Sequence, residues 1–218
     1  MINLEIFCIC IHNKLLNKIK EINYTPVGLG PDIFSKEWTR DNSGINISSK
    51  NKFYGELTFH YWLWKNRLDK IEKDKWIGFC GYRRFWQNEF NNSETSLDIN
   101  QKILNKIHPS WEKYDVILGN HIYLNEIPLI KIIKYGKTAF LRNPGAIFKK
   151  GRNIRFQFDM FHGNGVLDKA IDLLDQNERE DFKFYVRNNV SFNYGNMFIC
   201  KSKKLMIRYY EAIFPWLE

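Results

Sequence analysis

A strand that is apolar at nearly every position has no side to present to water, so it must be covered on both faces. Asn3–Ile11 reads as such a strand, with Glu5 its one charged residue. That single segment favours a parallel sheet sandwiched between helices over a sheet with a wet face. The segments after it fit the same plan. From Asn51 to Leu68 the residues Tyr54, Leu57, Tyr61, Trp64 and Leu68 recur at helical spacing, with Asn51 or Ser49 as a plausible N-cap. Trp76–Cys80 follows as a short buried strand after the charged turn Glu72–Lys75.

The remaining elements are expected as follows. A helix around Ile99–Ile107 ends near Pro109, and Tyr114–Leu118 forms a strand. A loop-rich stretch carries Pro128, Gly136, Pro144 and Gly151, then come a strand Ile154–Phe161 and a helix Val166–Leu174. Asn193–Cys200 reads as a turn and strand, and Lys203–Phe214 as a last helix. Strands and helices alternate, which predicts an α/β fold with a mainly parallel central sheet. Tyr24–Pro31, with Pro26, Gly28, Gly30 and Pro31, and Asp41–Ser49, with Gly44, read as loops.

At 218 residues, without internal repeats or low-complexity linkers, the chain is expected to form one domain over 1–218. Its 44% hydrophobic and 16% aromatic content fills a core and excludes disorder or a coiled coil. The longest apolar runs fall far short of the roughly 20 residues that span a bilayer. The N-terminus lacks the basic opening and small-residue end of an export signal, so a cytoplasmic chain is expected. The four cysteines, Cys8, Cys10, Cys80 and Cys200, sit in apolar runs and match no zinc or disulfide spacing, so buried free thiols are expected. A net charge of +9 admits nucleic acid, an anionic membrane surface or a phosphorylated substrate. The lysines are scattered and no nucleic-acid-binding motif accompanies them, which argues against nucleic acid and leaves peripheral contact at an inner membrane open.

In open α/β sheets ligands gather where strands end. His12, the block Gly81–Arg84 and the residues after Phe161 all qualify. Arg83 and Arg84 carry the most specific local signal, because two guanidinium forks match the oxygens of a diphosphate. The competing reading makes them ordinary surface charges. No Asp-x-Asp pair occurs, and Glu178 and Glu180 lie in a charged segment that reads as solvated, so no metal site is expected. Gly28 and Gly30 form neither a dinucleotide nor a P-loop pattern and read as turns with positive φ. Glu56 and His60, four residues apart, fit a helix-face pair as well as a dyad.

These residues fall into an ordered pattern. The run DNSGINISSKNKFYGELTFHYWLWKN from Asp41 to Asn66, then IGFCGYRRFW and GNMFI, resembles the domain-of-unknown-function 4422 family of bacterial capsular and exopolysaccharide biosynthesis proteins. The resemblance implies a GT-A-like, Rossmann-type glycosyltransferase, similar in some members to galactofuranosyltransferases using a UDP-linked furanose. Its motif positions fall on His12, Gly28, Asn46, Asn51, Tyr54, Glu56, Thr58, Tyr61, Trp62, Lys65, Tyr82, Arg83, Arg84, Asn196 and Met197. Two departures stand out: Gly81 replaces the histidine usual before Tyr-Arg-Arg, and members generally continue past IFPWL into an Arg- and Glu-bearing segment that this chain, ending at Glu218, does not contain.

Sugar transfer needs a nucleotide pocket, positive charge at the leaving diphosphate and, for inversion, a base beside the acceptor hydroxyl. His12 with Pro26, Val27 and Gly28 is expected to cradle the nucleotide, and Arg83 with Arg84 to stabilise departing UDP without a metal or other cofactor. The base is open between Glu56, Asp159, His162 and none of them. Asn46, Asn51, Tyr54, Trp62, Lys65, Tyr82 and Asn196 are candidates for the donor or acceptor sugar, although Trp and Tyr at helical spacing also suit a core. The expected partners are a UDP-sugar donor and a polysaccharide or lipid-linked glycan acceptor. The alternative is a non-catalytic nucleotide- or carbohydrate-binding module of a polysaccharide assembly.

Overall fold

A computed structural model describes residues 3–88, 102–193 and 195–218, which form two compact units, Met1–Gly119 with Gly195–Glu218, and Asn120–Tyr194. The first unit holds a six-stranded sheet. Its strands are β1 (Leu4–Cys10), β2 (Thr25–Gly28), β3 (Thr39–Arg40), β4 (Trp76–Gly81), β5 (Val116–Leu118) and β8 (Phe198–Cys200), in the order β3-β2-β1-β4-β8-β5. Strands β3, β2, β1 and β4 are parallel; β8 is antiparallel to both β4 and β5. The sheet is thus mainly parallel and the fold is α/β, of the Rossmann type.

The apolar run of β1 is explained by what lies on each side of it. Ile6, Cys8 and Cys10 face a cluster that includes Ile19 of α1 (Leu16–Glu21), whereas Phe7 and Ile9 face Phe59 and Leu63 of α3 (Leu57–Asn66) and Tyr210 and Phe214 of α9 (Lys203–Leu217). Alternate residues therefore fill two cores, and neither side of the strand meets water. Glu5, the exception, is ion-paired to Arg67 and Lys75, each at 2.8 Å.

Several expectations are corrected. Thr25–Gly28 is a strand rather than a loop. Proline is tolerated in it because β3 begins opposite Val27, so at Pro26 only β1 lies alongside. The expected helix from Asn51 to Leu68 is broken into α2 (Asn51–Tyr54) and α3 by Gly55, whose φ of 52° and ψ of −128° no helix contains. No side chain caps α2; Asn51 instead donates to the Gly55 carbonyl and Thr58 Oγ1. Residues 99–101 of the expected helix near Ile107 lie outside the described residues, and Ile103 forms an antiparallel bridge with Gln87.

The second unit is mostly helical. It contains β6 (His121–Tyr123) paired antiparallel with β7 (Ser191–Asn193), and α4 (Leu129–Tyr135), α5 (Lys137–Arg142), α6 (Ile154–His162), α7 (Val166–Ile171) and α8 (Gln176–Asn188). The stretch expected to be loop-rich thus holds two helices, and Ile154–Phe161 is helix instead of strand. Its alternation of apolar and polar residues mimics a strand, but Asn153 caps it by accepting from Phe156 N at 2.9 Å, and Phe156 and Asp159 turn to one buried side. Among the described residues no helix is long and apolar enough to cross a membrane.

Candidate active site at the C-terminal edge of the sheet

The chain passes from β1 to β2 on one side and later reaches β4 on the other, which makes the β1/β4 junction a topological switch point. At their carboxyl ends the two strands stay tied, Tyr82 N donating to Ile9 O at 3.0 Å, and on the opposite flank Leu29 N donates to Cys10 O at 2.8 Å. This positions the residues that follow. His12 and Tyr82 meet edge to face with ring centroids 4.7 Å apart. The Nδ1 atom of His12 is buried and has no hydrogen-bond partner among the described residues. Arg83 lies exposed with its guanidinium carbon 5.1 Å from the Tyr82 ring centroid, and Arg84, also exposed, turns back through N–H donation to Gly81 O at 3.0 Å.

Because β8 runs antiparallel to β4, its start lies at the same edge. Asn196, two residues before β8, donates from Nδ2 to Glu56 Oε1 at 2.9 Å, and its backbone N–H reaches the same oxygen at 3.3 Å. Glu56 stands immediately before α3, where the helix N-terminus favours its negative charge. The sheet edge therefore brings His12, Gly28, Tyr82, Arg83, Arg84, Glu56 and Asn196 to one end of the first unit.

Other candidates are placed differently. Val27 is fully buried in the core, and Gly28 has ordinary φ; it is glycine because a Cβ there would lie 2.4 Å from the Phe34 ring. The positive-φ reading holds for Gly30, at 79°, but not for Gly28. Asn46 closes a turn by accepting from Ser48 N and Oγ, Tyr54 donates to Leu217 O at 2.7 Å, and Trp62 donates to Ser43 O at 2.9 Å. Lys65 sits with Nζ 3.3 Å from the Trp64 ring centroid. Trp62 thus fastens the Asp41–Ser49 loop to α3 and Tyr54 ties the C-terminus to α2, whereas Asn46 bonds within the loop and Lys65 lies along its own helix. His60 is no partner of Glu56: it is fully buried, its Nδ1 lies 3.1 Å from Tyr210 Oη, and burial lowers its pKa to about 3.

Asp159 and His162 do not follow a strand, since both lie on α6 in the second unit. Asp159 accepts from Gly165 N at 2.9 Å and pairs with Arg155, while the His162 ring packs 4.3 Å from Phe158. Glu178 and Glu180 are exposed on α8. All four cysteines are free and buried.

Two residues at the edge were missed. Arg40 ends β3, donates to Gly30 O at 3.0 Å and stacks 4.5 Å from the Phe34 ring centroid, while its Nε is buried without a partner among the described residues. Asp41 follows, 1% exposed, with Oδ2 likewise unpartnered. Position after a strand was their signal, but a two-residue strand leaves no hydrophobic pattern to read.

The sequence matches the family described as domain of unknown function (DUF4422) over residues 6–218. The chain belongs to the DUF4422 family. No curated protein matches it. Among solved structures it is similar to the apo structure of the WbbM bifunctional glycosyltransferase, with a TM-score of 0.56 and 17% identity, covering 99% of this chain and 36% of that one. This DUF4422 chain thus spans about a third of the length of that structure and shares its fold, which agrees with the GT-A-like expectation. Among the described residues of this family member, no three His, Cys, Asp or Glu side chains gather as metal ligands would.

Proposed function

We propose that this DUF4422 chain is a glycosyltransferase domain that moves a sugar, with galactofuranose the first candidate, from a UDP-linked donor to a capsular or exopolysaccharide acceptor. The observation that carries this reading is the convergence, at the switch point of the sheet, of His12 with its unpartnered buried nitrogen, Tyr82, and the exposed Arg83 and Arg84. In the reaction the bond between the sugar's anomeric carbon and the diphosphate oxygen breaks, and UDP leaves with the electron pair. Arg83 and Arg84 supply the positive charge this oxygen needs. His12 and the buried acceptor Asp41 offer polar groups for the nucleotide, beside the backbone at Gly28 and Gly30. Glu56 is the candidate base for the acceptor hydroxyl proton, held in one orientation by Asn196. The sequence has no Asp-x-Asp pair, which favours transfer without a metal.

A non-catalytic binding module is the second reading, favoured by the two hydrogen bonds that already engage Glu56 Oε1. Calorimetric titration of UDP, with and without manganese, tests the site in the wild type and in Arg83→Ala/Arg84→Ala. The expected result is binding that does not need manganese and weakens at least about tenfold in the double variant, as loss of charge-assisted hydrogen bonds implies. Absence of UDP binding under both conditions, or equal affinity in the variant, refutes the assignment. Turnover of UDP-galactofuranose then separates enzyme from binding module.

A further inference from the structure

In the second unit, α4, α5 and the turns after them bury one side and expose the other. Ile132, Ala139 and Ala146 pack on Phe156 of α6. Close approaches fix this layer: a Cβ on Gly136 would lie 2.5 Å from Met160, and one on Gly151 would lie 2.2 Å from the Gly145 carbonyl oxygen. Arg152 is buried beneath it and donates to the carbonyls of Ala146, Ile127 and Ile147 at 3.0, 2.8 and 3.1 Å. Its charge therefore serves the interior and not the outer face.

The outer face is apolar and basic together. Ile130 is 77% exposed, Tyr135 62%, Leu141 70% and Phe148 73%, with Ile133 and Ile147 about half exposed beside them. Single exposed apolar side chains are ordinary, but a run of large ones on adjoining elements marks an interaction surface. Interleaved with them are Lys131, Lys134, Lys137, Arg142, Lys149 and Lys150, all exposed, and the sequence has no Asp or Glu from Leu129 to Gly151. Among the described residues none of these six forms an ion pair, whereas Arg155, Lys183 and Arg187 of the same unit are all paired to Asp168 or Asp172. Glu126 is the nearest acid before this stretch in the sequence.

We infer that this face docks the chain on an anionic lipid bilayer. Charge complementarity selects the occupant. A second copy joined by a two-fold contact would set six cations against six cations. A nucleic acid would use the lysines but set its phosphate backbone against the exposed Ile130, Leu141 and Phe148, and an acidic protein segment would cover them only if it interleaved apolar residues at matching spacing. The headgroup level of a bilayer takes both, phosphates meeting the lysines while the apolar tips enter the acyl boundary. None of these residues belongs to the proposed donor site, so this inference stands or falls apart from it.

Co-sedimentation of the full chain with phosphatidylcholine vesicles, with or without phosphatidylglycerol, is the test. Binding is expected only with phosphatidylglycerol, and is expected to fall as salt rises. Each basic residue near an anionic surface contributes about fivefold, so Lys131→Gln/Lys134→Gln/Lys149→Gln/Lys150→Gln should lower the partition about a hundredfold or more. Ile130→Ser/Phe148→Ser should lower it while leaving the salt slope unchanged. Both variants change exposed side chains and should unfold at the wild-type temperature and bind UDP as the wild type does. Failure to sediment with either vesicle, or equal partition of the wild type and the lysine variant, overturns the inference. So does an analytical-ultracentrifugation dimer dispersed by Ile130→Ser/Phe148→Ser, which would assign the face to a second copy, or binding of RNA but not vesicles.

Discussion

At the scale of single residues, His60 shows how burial decides chemistry. Four residues from Glu56 it has the spacing of a helix-face pair, yet it turns into the core against Phe79 and Tyr210, while Glu56 turns toward Asn196. Burial holds its folded pKa at about 3, below the unfolded value of 6.5. Above pH 6.5 the imidazole is neutral in both states, so folding is not opposed. As pH falls below that value only the unfolded chain takes up the proton, and stability should drop by roughly 1.4 kcal/mol per pH unit until about pH 3. Urea denaturation across that window should show this slope in the wild type and a smaller one in His60→Gln; equal slopes would place the acid sensitivity elsewhere. His12, Tyr82, Arg83 and Arg84 were legible as site candidates because each directly follows a recognisable apolar strand. Asp41 was not, because the two-residue strand before it leaves no hydrophobic pattern to read.

At the scale of elements, local pattern named β1, β4, β5 and β8, missed the short β2, β3, β6 and β7, and misjudged breaks. Periodicity carries smoothly across Gly55, so the interruption between α2 and α3 is invisible to it; only the backbone, at φ 52°, reveals it. A Cβ at this position would meet nothing within 4 Å, which isolates the conformational effect from packing. Gly55→Ala should therefore destabilise the fold by about 1–3 kcal/mol through backbone strain alone. Chemical denaturation of that variant measures it, and an unchanged midpoint would mean the break is not enforced. The misreading of α6 has the opposite origin. Its residues alternate like a strand, and Asn153 capping with burial of one side against the rest of the second unit makes them helical. Strand β2 was hidden by Pro26, which is compatible with a strand only because β3 is too short to pair there.

At the scale of the whole molecule, the buried thiols report on both cores of the first unit. Cys8, Cys10 and Cys80 lie in the cluster on the α1 side and Cys200 in the one on the α3 side, where burial pushes its pKa up to about 11. A thiol reagent should find none of the four reactive in the native protein and all four in denaturant; rapid native labelling would show that one core is open. The sequence by itself determined the α/β class and the residues after β1 and β4, because a strand covered on both faces must be apolar throughout and its end is marked by the first polar residue. Only the tertiary structure decided the rest: that β8 runs antiparallel and so carries Asn196 to the same edge, that Asn46 closes a turn while Tyr54 holds the C-terminus and Trp62 a loop, and that Asp159 and His162 lie on a helix of the second unit. These outcomes depend on which distant segments meet, and pairing across the chain leaves no local period in the sequence to read.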